Sequence, residues 1–350
     1  MKVLYLTKYS RNAGSSRLRS YQYFPFLENQ GIQVVVSPLF SEAYLRKLYA
    51  GESTKREALK GYLKRSLKLF SVRKYDKVVI EKELFPYLPA FAEWFLQKRK
   101  VEFITDYDDA IFHNYDQSSQ PVIRKILGNK IAHVMRYSAQ VVVGNGYLAE
   151  YAQRAGAKKI EIIPTVIDLE RYPQKKDNGN TSVFVWGWIG TKSTFEKHLV
   201  PHKNGIIQFL QENPDSEFHI IGIPENQNWH ERVKWIPWRE DTEITSIQKL
   251  DVGIMPLQDS LWEKGKCAYK LIQYAACGIP GIASDVGMNK EITIPEKTGY
   301  LASTEEDWIK HLLDLKNNPS KRQVMGENAR KLVEEKYCLQ VTAKKWLKIL

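Results

Sequence analysis

Short runs of β-branched and aliphatic residues alternate with longer stretches whose apolar positions recur every three or four residues, and this alternation runs through the chain twice. In the first half, Met1–Thr7, Ile32–Pro38, Asp76–Glu81, Glu102–Thr105, Gln140–Asn145 and Lys159–Pro164 read as strands. Helical periodicity fills the gaps: Arg17–Gln30 ended by Gly31, a stretch after Pro86 and Pro89, and a short helix closed by Gly156. The second half repeats the pattern with strands at Ser182–Gly190, Glu217–Pro224, Val233–Trp238, Asp251–Pro256, Gly281–Ser284 and Thr298–Leu301. Helices from Thr304 and Lys321 follow, and a last one, Cys338–Leu350, is amphipathic through Val341, Trp346, Leu347 and Leu350. Between the halves, Tyr172–Thr181 replaces the apolar pattern with Pro, Gly, Asn and charge, and is expected to be a hinge. Two such alternations around a linker predict an α/β architecture of two Rossmann-like doubly wound domains facing a cleft.

Composition narrows this picture. A length of 350 residues favours two cores, and 43% hydrophobic with 26% charged residues describes a globular protein. No apolar run reaches the roughly 18 residues of a membrane span. MKVLYLTKYS lacks the long apolar region of a secretory signal and reads as a first strand, so a cytoplasmic location is expected. Cys267, Cys277 and Cys338 are an odd number at no metal spacing and fit reduced thiols, Cys277 as a small packed residue. His198 and His202 are spaced like ligands on one helix face, but Pro201 separates them and no carboxylate follows, so no metal site is assigned.

The net charge of +12 is concentrated. Between Glu42 and Tyr75 stand ten Lys/Arg against three Glu, with Leu59, Tyr62, Leu63, Leu67 and Phe70 at helical spacing among them. Such a segment is either a basic amphipathic helix for an anionic membrane or a solvated helix packed on the sheet; no motif supports nucleic acid.

Candidate chemistry sits at the strand ends, where open α/β sheets bind ligands. Lys8–Ser16, after the first strand, is a polar loop holding Gly14, but it is not GxGxxG and does not favour a nicotinamide cofactor. Asp106, Asp108, Asp109, His113 and Asp116 crowd the end of the fourth strand. They are read as substrate-facing at Asp109 and His113 or as a satisfied structural cluster. Gly190, Thr191 and Lys192 form the corresponding turn of the second domain. Trp235 and Trp238 end a strand at the expected base pocket, core packing accounting for at least one of them. The densest stretch is Gly265–Glu291, GKCAYKLIQYAACGIPGIASDVGMNKE: a loop with Lys266, a helix with Lys270 and Gln273, a turn, a strand, and a loop ending in Asn289, Lys290 and Glu291. A helix start of this kind offers N–H groups and a positive dipole end to a phosphate.

That stretch resembles the donor-binding segment of retaining GT-B glycosyltransferases of the group 1 family, glycosyltransferase family four. The family often shows a Glu, seven residues, and a second Glu before a small-residue run ending in Gly-x-Pro. Here those positions are Gly265 and Gln273, with Glu263 two residues before the first. Three further blocks are similar in the same order: GSSRLRSYQYFPFLENQGI from Gly14, the Lys82–His113 stretch with its Lys-Glu-x-x-Pro and Asp-Asp-Ala segments, and IEIIPTVIDLERY from Ile160.

The resemblance implies transfer of a sugar from a UDP- or GDP-sugar to a glycan or lipid-linked acceptor with retention of configuration, in surface polysaccharide or glycoconjugate assembly. It implies no cofactor beyond the nucleotide-sugar and no metal. Lys270, Asp109 and His113 are expected to be catalytic, His113 orienting the sugar. Donor binding falls to Gly14, Gly190, Thr191, Lys192, Trp238, Lys266, the amides of Cys267, Ala268 and Tyr269, Gln273 on the ribose, Met288, Asn289 and Glu291. Ser15, Arg17 and Arg19 face the acceptor. The expected domains are 1–172 on the acceptor side, 173–336 for the nucleotide-sugar, and 337–350 as a helix crossing back to the first. Two rivals stay open: a nucleotide-sugar isomerase of GT-B fold, and a non-catalytic relative that binds a partner or a membrane.

Overall fold

The computed structural model describes residues 1–175, 183–224 and 227–350. They form two compact units: Met1–Thr165 with Lys264–Cys267 and Thr342–Leu350, and Val166–Glu263 with Ala268–Val341.

Every strand of the first unit is parallel to its neighbours: β1 (Lys2–Leu6), β2 (Gln33–Val36), β3 (Lys77–Glu81), β4 (Phe103–Tyr107), β5 (Gln140–Val143) and β6 (Ile160–Ile162). Their order, β2-β1-β3-β4-β5-β6, reverses direction between β1 and β3. Runs such as Val78, Val79 and Ile80 are buried on both faces, which is why they are apolar without alternation. The helix expected over Arg17–Gln30 is instead broken into Gly14–Arg19, a 3-10 turn Tyr21–Tyr23, and Phe24–Asn29. Pro25, at the start of the third piece, has no N–H to continue the ladder. Two helices with no counterpart in the sequence reading, Pro121–Leu127 and Lys130–Tyr137, cover the stretch before β5. The terminal helix Leu339–Ile349 enters this unit at Thr342: Trp346, 1% exposed, lies against Tyr5 and Tyr23, and the Tyr23 hydroxyl is 2.9 Å from that of Thr342.

The second unit has β7 (Phe184–Ile189), β8 (Ser216–Ile221), β9 (Val233–Ile236), β10 (Val252–Met255), β11 (Gly281–Ser284) and β12 (Gly299–Ala302). Parallel throughout, they run β12-β11-β10-β7-β8-β9, the dinucleotide-fold order with its reversal between β7 and β10. Trp186, Phe209, Phe218 and Ile254 are central to its core. Val166–Tyr172, assigned to the first domain from sequence, group with this unit because Ile167 bridges to Cys338 and Arg330 donates to the Tyr172 carbonyl at 2.6 Å. Most of the expected hinge, Lys176–Thr181, lies outside the described residues. Thr304 caps the helix Glu305–Asn317 reciprocally with Asp307. All three cysteines are buried free thiols, and burial pushes Cys277 up to about 12.

Candidate active site

Each unit gathers polar groups at the carboxyl edge of its sheet. In the first, the helix Gly14–Arg19 after β1 carries Ser15 and Ser16, β3 ends in Glu81 with Lys82 next, and β4 holds Asp106 with Asp108 and Asp109 just past its end. Ser16 donates to Glu81 at 2.7 Å, and the Lys8 amide to the same carboxylate at 3.0 Å. Lys82 sits at φ 67 inside a tight turn closed by Glu83 N–H on the Glu81 carbonyl. This strained backbone aims its buried ammonium at Asp108, 2.8 Å away, with Asp109 at 3.9 Å and the Ser15 hydroxyl at 3.3 Å.

The two aspartates are held apart electrostatically. Burial raises Asp108, but Lys82 and Arg19 outweigh it and bring the carboxyl down to about 2. Asp109 moves the other way, raised by burial first and by the Asp108 charge next, with Lys82 and Lys266 opposing. A carboxyl so raised beside an ionised neighbour is a common arrangement for proton transfer.

The segment Lys264–Cys267 packs beside this cluster. The Asn145 amide donates to the Lys266 carbonyl at 3.0 Å, and the Cys267 thiol donates to the Asp108 carbonyl at 2.9 Å. Burial pushes that thiol up to about 12, which makes Cys267 a packing group. A Cβ on Gly265 would stand 2.5 Å from Ala110 Cβ and 2.8 Å from its nitrogen, so the position of the family's first Glu admits no side chain here. Glu263 instead lies in the second unit, 1% exposed, bonded by Lys197 at 2.6 Å and 3.5 Å from His198. Burial opposes its charge, but the Lys197 and Ser260 bonds hold it below the usual range. Lys197 and His198 stand on a π-helical turn, Phe195–Leu199, and so His198 has a carboxylate partner that sequence spacing did not reveal.

Not every expected acceptor-side residue faces outward. Arg19, expected on the acceptor side, is 2% exposed and spends its guanidinium on Asp106, the Ile163 carbonyl and Thr165, bracing the sheet edge. Ser15 and Arg17 are half-buried and Gly14 is exposed. A Cβ on Gly14 would meet nothing within 4 Å, so packing does not require glycine there. His113 has both ring nitrogens occupied, by Asp116 at 2.8 Å and by the Tyr147 hydroxyl at 2.8 Å.

In the second unit, β7 is followed by Gly190, whose missing side chain leaves room for the Trp188 ring 2.4 Å from where its Cβ would be. Thr191 caps the next turn with Thr194, and Lys192 is exposed. Lys270 lies over the same Trp188 ring, 5.5 Å from its centroid. Its helix, Tyr269–Ala276, starts from Ala268 in left-handed backbone (φ 50, ψ 30) with no side-chain cap. That conformation costs about 1–2 kcal/mol in a residue with a Cβ.

Gln273 is 3% exposed, and its amide nitrogen donates to the Tyr172 hydroxyl at 2.9 Å. Tyr172 donates to Glu243 at 2.7 Å, and the Trp238 indole donates to the other Glu243 oxygen. Gln273 is therefore the buried inner end of a hydrogen-bonded chain, and neither Tyr172 nor Glu243 is singled out by the sequence pattern. Trp238, 41% exposed, marks the outer end, whereas Trp235 packs on Phe195 and Trp229 in the core. After β11, Met288 and Asn289 are buried, Asn289 donating to the Ser284 carbonyl at 3.0 Å, while Glu291 is exposed beside the Tyr337 phenol. A depression lined by Lys175, Asp251, Gly278 and Arg322 opens at the amino ends of this sheet's strands, the edge opposite to these groups.

Comparison with known proteins bears on the fold. Residues 201–332 match the family of glycosyl transferases group 1. The whole chain is similar in fold to sucrose-phosphate synthase from Thermosynechococcus elongatus, at 13% identity and a TM-score of 0.69 over 100% of this chain and 98% of that one. A glycosyltransferase from Rickettsia africae is as similar, with 13% identity and a TM-score of 0.69 over 99% and 97% of the two chains. HepE of Anabaena, solved in complex with UDP-glucose, is 15% identical with a TM-score of 0.64 over 100% of both chains. No curated protein matches the chain in sequence. The fold is thus GT-B, as the sequence blocks implied.

Proposed function

With residues 201–332 as a group 1 glycosyltransferase segment on a GT-B fold, we propose that the chain moves a sugar from a nucleoside-diphosphate sugar to a hydroxyl acceptor with retention of configuration. The observation that carries this is the cation of Lys270, held on Trp188 at the uncapped, strained start of the helix Tyr269–Ala276. The second unit takes the diphosphate, which this helix end and Lys270 neutralise. A lysine ammonium group, not a divalent ion, carries that task. As the bond from the anomeric carbon to phosphate oxygen breaks, charge grows on the leaving diphosphate, and a preorganised cation there lowers the barrier. The acceptor oxygen bonds to the anomeric carbon from the same face and passes its proton to the departing phosphate oxygen. Trp238 offers a flat surface to the base. Because HepE was solved with UDP and with UDP-glucose, a UDP-sugar is the first donor to try. The acceptor class proposed is a glycan or lipid-linked saccharide.

The test is turnover of UDP-glucose and other UDP- and GDP-sugars with a panel of saccharide acceptors, products read by mass and anomeric proton coupling. An α-linked product from an α-linked donor is expected. An epimerised nucleotide-sugar in place of transfer would assign an isomerase, and donor binding without turnover on any acceptor would assign a binding protein.

A further inference from the structure

The basic helix Lys55–Leu69 has apolar residues on two sides: Tyr62 and Leu69 lie half-buried against the core, and others face outward. Its inner side carries Gly61 and Arg65. A Cβ on Gly61 would lie 2.2 Å from the Leu39 carbonyl oxygen, so the backbones touch there. Arg65, 1% exposed, donates to the carbonyls of Thr7 at 2.7 Å and Ser37 at 3.0 Å. These contacts fix the roll of the helix. Outward stand Leu59, Leu63 and Leu67, 64%, 59% and 70% exposed, and Phe70 at 86% just past the helix end. Steps of four, four and three residues put them in one continuous strip. Lys60 and Lys64, both exposed, run alongside it.

A second helix of the same unit, Phe91–Lys98, adds Trp94 and Phe95, 46% and 47% exposed. Cations lean on both rings: Lys98 is 5.9 Å from the Trp94 centroid and Arg99 is 5.2 Å from that of Phe95. The two helical regions are tied by Tyr62 donating to the Pro86 carbonyl at 2.6 Å and Arg73 to the Arg99 carbonyl at 3.0 Å.

Single exposed apolar residues are ordinary, but a fixed strip of four bordered by lysines is not. We propose that this face docks on an anionic lipid bilayer, the leucine strip and Phe70 at the headgroup–acyl boundary and the lysines at the level of the phosphates. Charge selects this occupant. With Lys55, Arg56, Lys60 and Lys64 exposed on this helix against Glu57, two copies meeting symmetrically on this strip would oppose their own cations, whereas an anionic headgroup layer complements them. The inference stands independently of the sugar-transfer reading.

The whole protein is sedimented with vesicles of phosphatidylcholine alone, or with about a third phosphatidylglycerol, at low and high salt. Binding is expected to the anionic vesicles only and to fade at high salt. Replacing Lys60 or Lys64 by Gln lowers partitioning about fivefold each. The double variant Leu63→Ser/Leu67→Ser also loses binding at low salt while its melting temperature is unchanged, because both side chains lie outside the core. No binding of folded wild-type protein to anionic vesicles, or equal binding by the leucine variant, overturns the proposal. So does a concentration-dependent dimer that Leu63→Ser dissociates, since that would make a second copy the occupant.

Discussion

The Lys270 ammonium rests 5.5 Å from the centroid of the Trp188 indole, and the same indole fills the space that a side chain on Gly190 would take. One ring, itself 1% exposed, thus sets both a cation and a bare backbone turn at the reversal point of the second sheet. A cation over an indole is held in place by the ring's electrostatic attraction. Replacing Lys270 by Ala is expected to cost about 2–4 kcal/mol in turnover, the range for removing a group that meets developing charge. Steady-state kinetics check this; unchanged kcat would remove Lys270 from the site.

Restoring the family's carboxylate at position 273 should harm the protein. Gln273→Glu removes the donor that Tyr172 accepts and sets a second carboxylate on the chain ending at Glu243. A buried group left unsatisfied costs about 1–3 kcal/mol, so thermal or urea unfolding should show a loss of that size with no gain in donor affinity.

Two glycines give opposite expectations. Gly265→Ala drives a Cβ into Ala110 and should destabilise the fold by about 1–3 kcal/mol, as overpacking does. Gly14→Ala has open space and should leave the melting temperature alone while lowering turnover, if ligand approach is what keeps position 14 bare. Denaturation curves and kinetics on the pair separate packing from function.

Much of the fold was legible because parallel strands buried on both faces must be continuous apolar runs. DKVVIE and GIAS announce themselves, and GIAS forms a strand over the predicted residues Gly281–Ser284. The site was less so. Helical spacing marks Lys270 and Gln273 as neighbours on one helix, but only the fold brings Tyr172 to Gln273 or Asp106 to Arg19, across about a hundred residues in the first case and eighty-seven in the second. Period likewise told that Leu59, Leu63 and Leu67 share a face, and not that Arg65 would take the inward side. The helices Pro121–Leu127 and Lys130–Tyr137 are short and closely spaced, so neither carries a long enough apolar period to stand out in the sequence.

Acid should separate the two carboxyls of the first unit. Asp108, depressed to about 2, contributes stability that is present above its ordinary value of 3.8 and lost as pH falls from there toward 2. Lys82→Met removes the partner that lowers it. The variant should therefore be less stable than wild type at pH 7, by about 2 kcal/mol or more, and the deficit should shrink as both are titrated from pH 4 toward pH 2. Urea denaturation across that range reads the difference; a deficit independent of pH would mean that the Lys82–Asp108 pair is not what Lys82 contributes.

The most direct measurement is thermal melting against UDP-, GDP-, ADP- and TDP-sugars with the free diphosphates alongside, on wild type and Lys270→Ala. A ligand at about 100 times its dissociation constant adds near 2.7 kcal/mol of stability. A shift selective for one nucleotide, strongest for a UDP-sugar and reduced in Lys270→Ala, is the predicted result. Folded wild-type protein that no nucleotide stabilises would contradict the account.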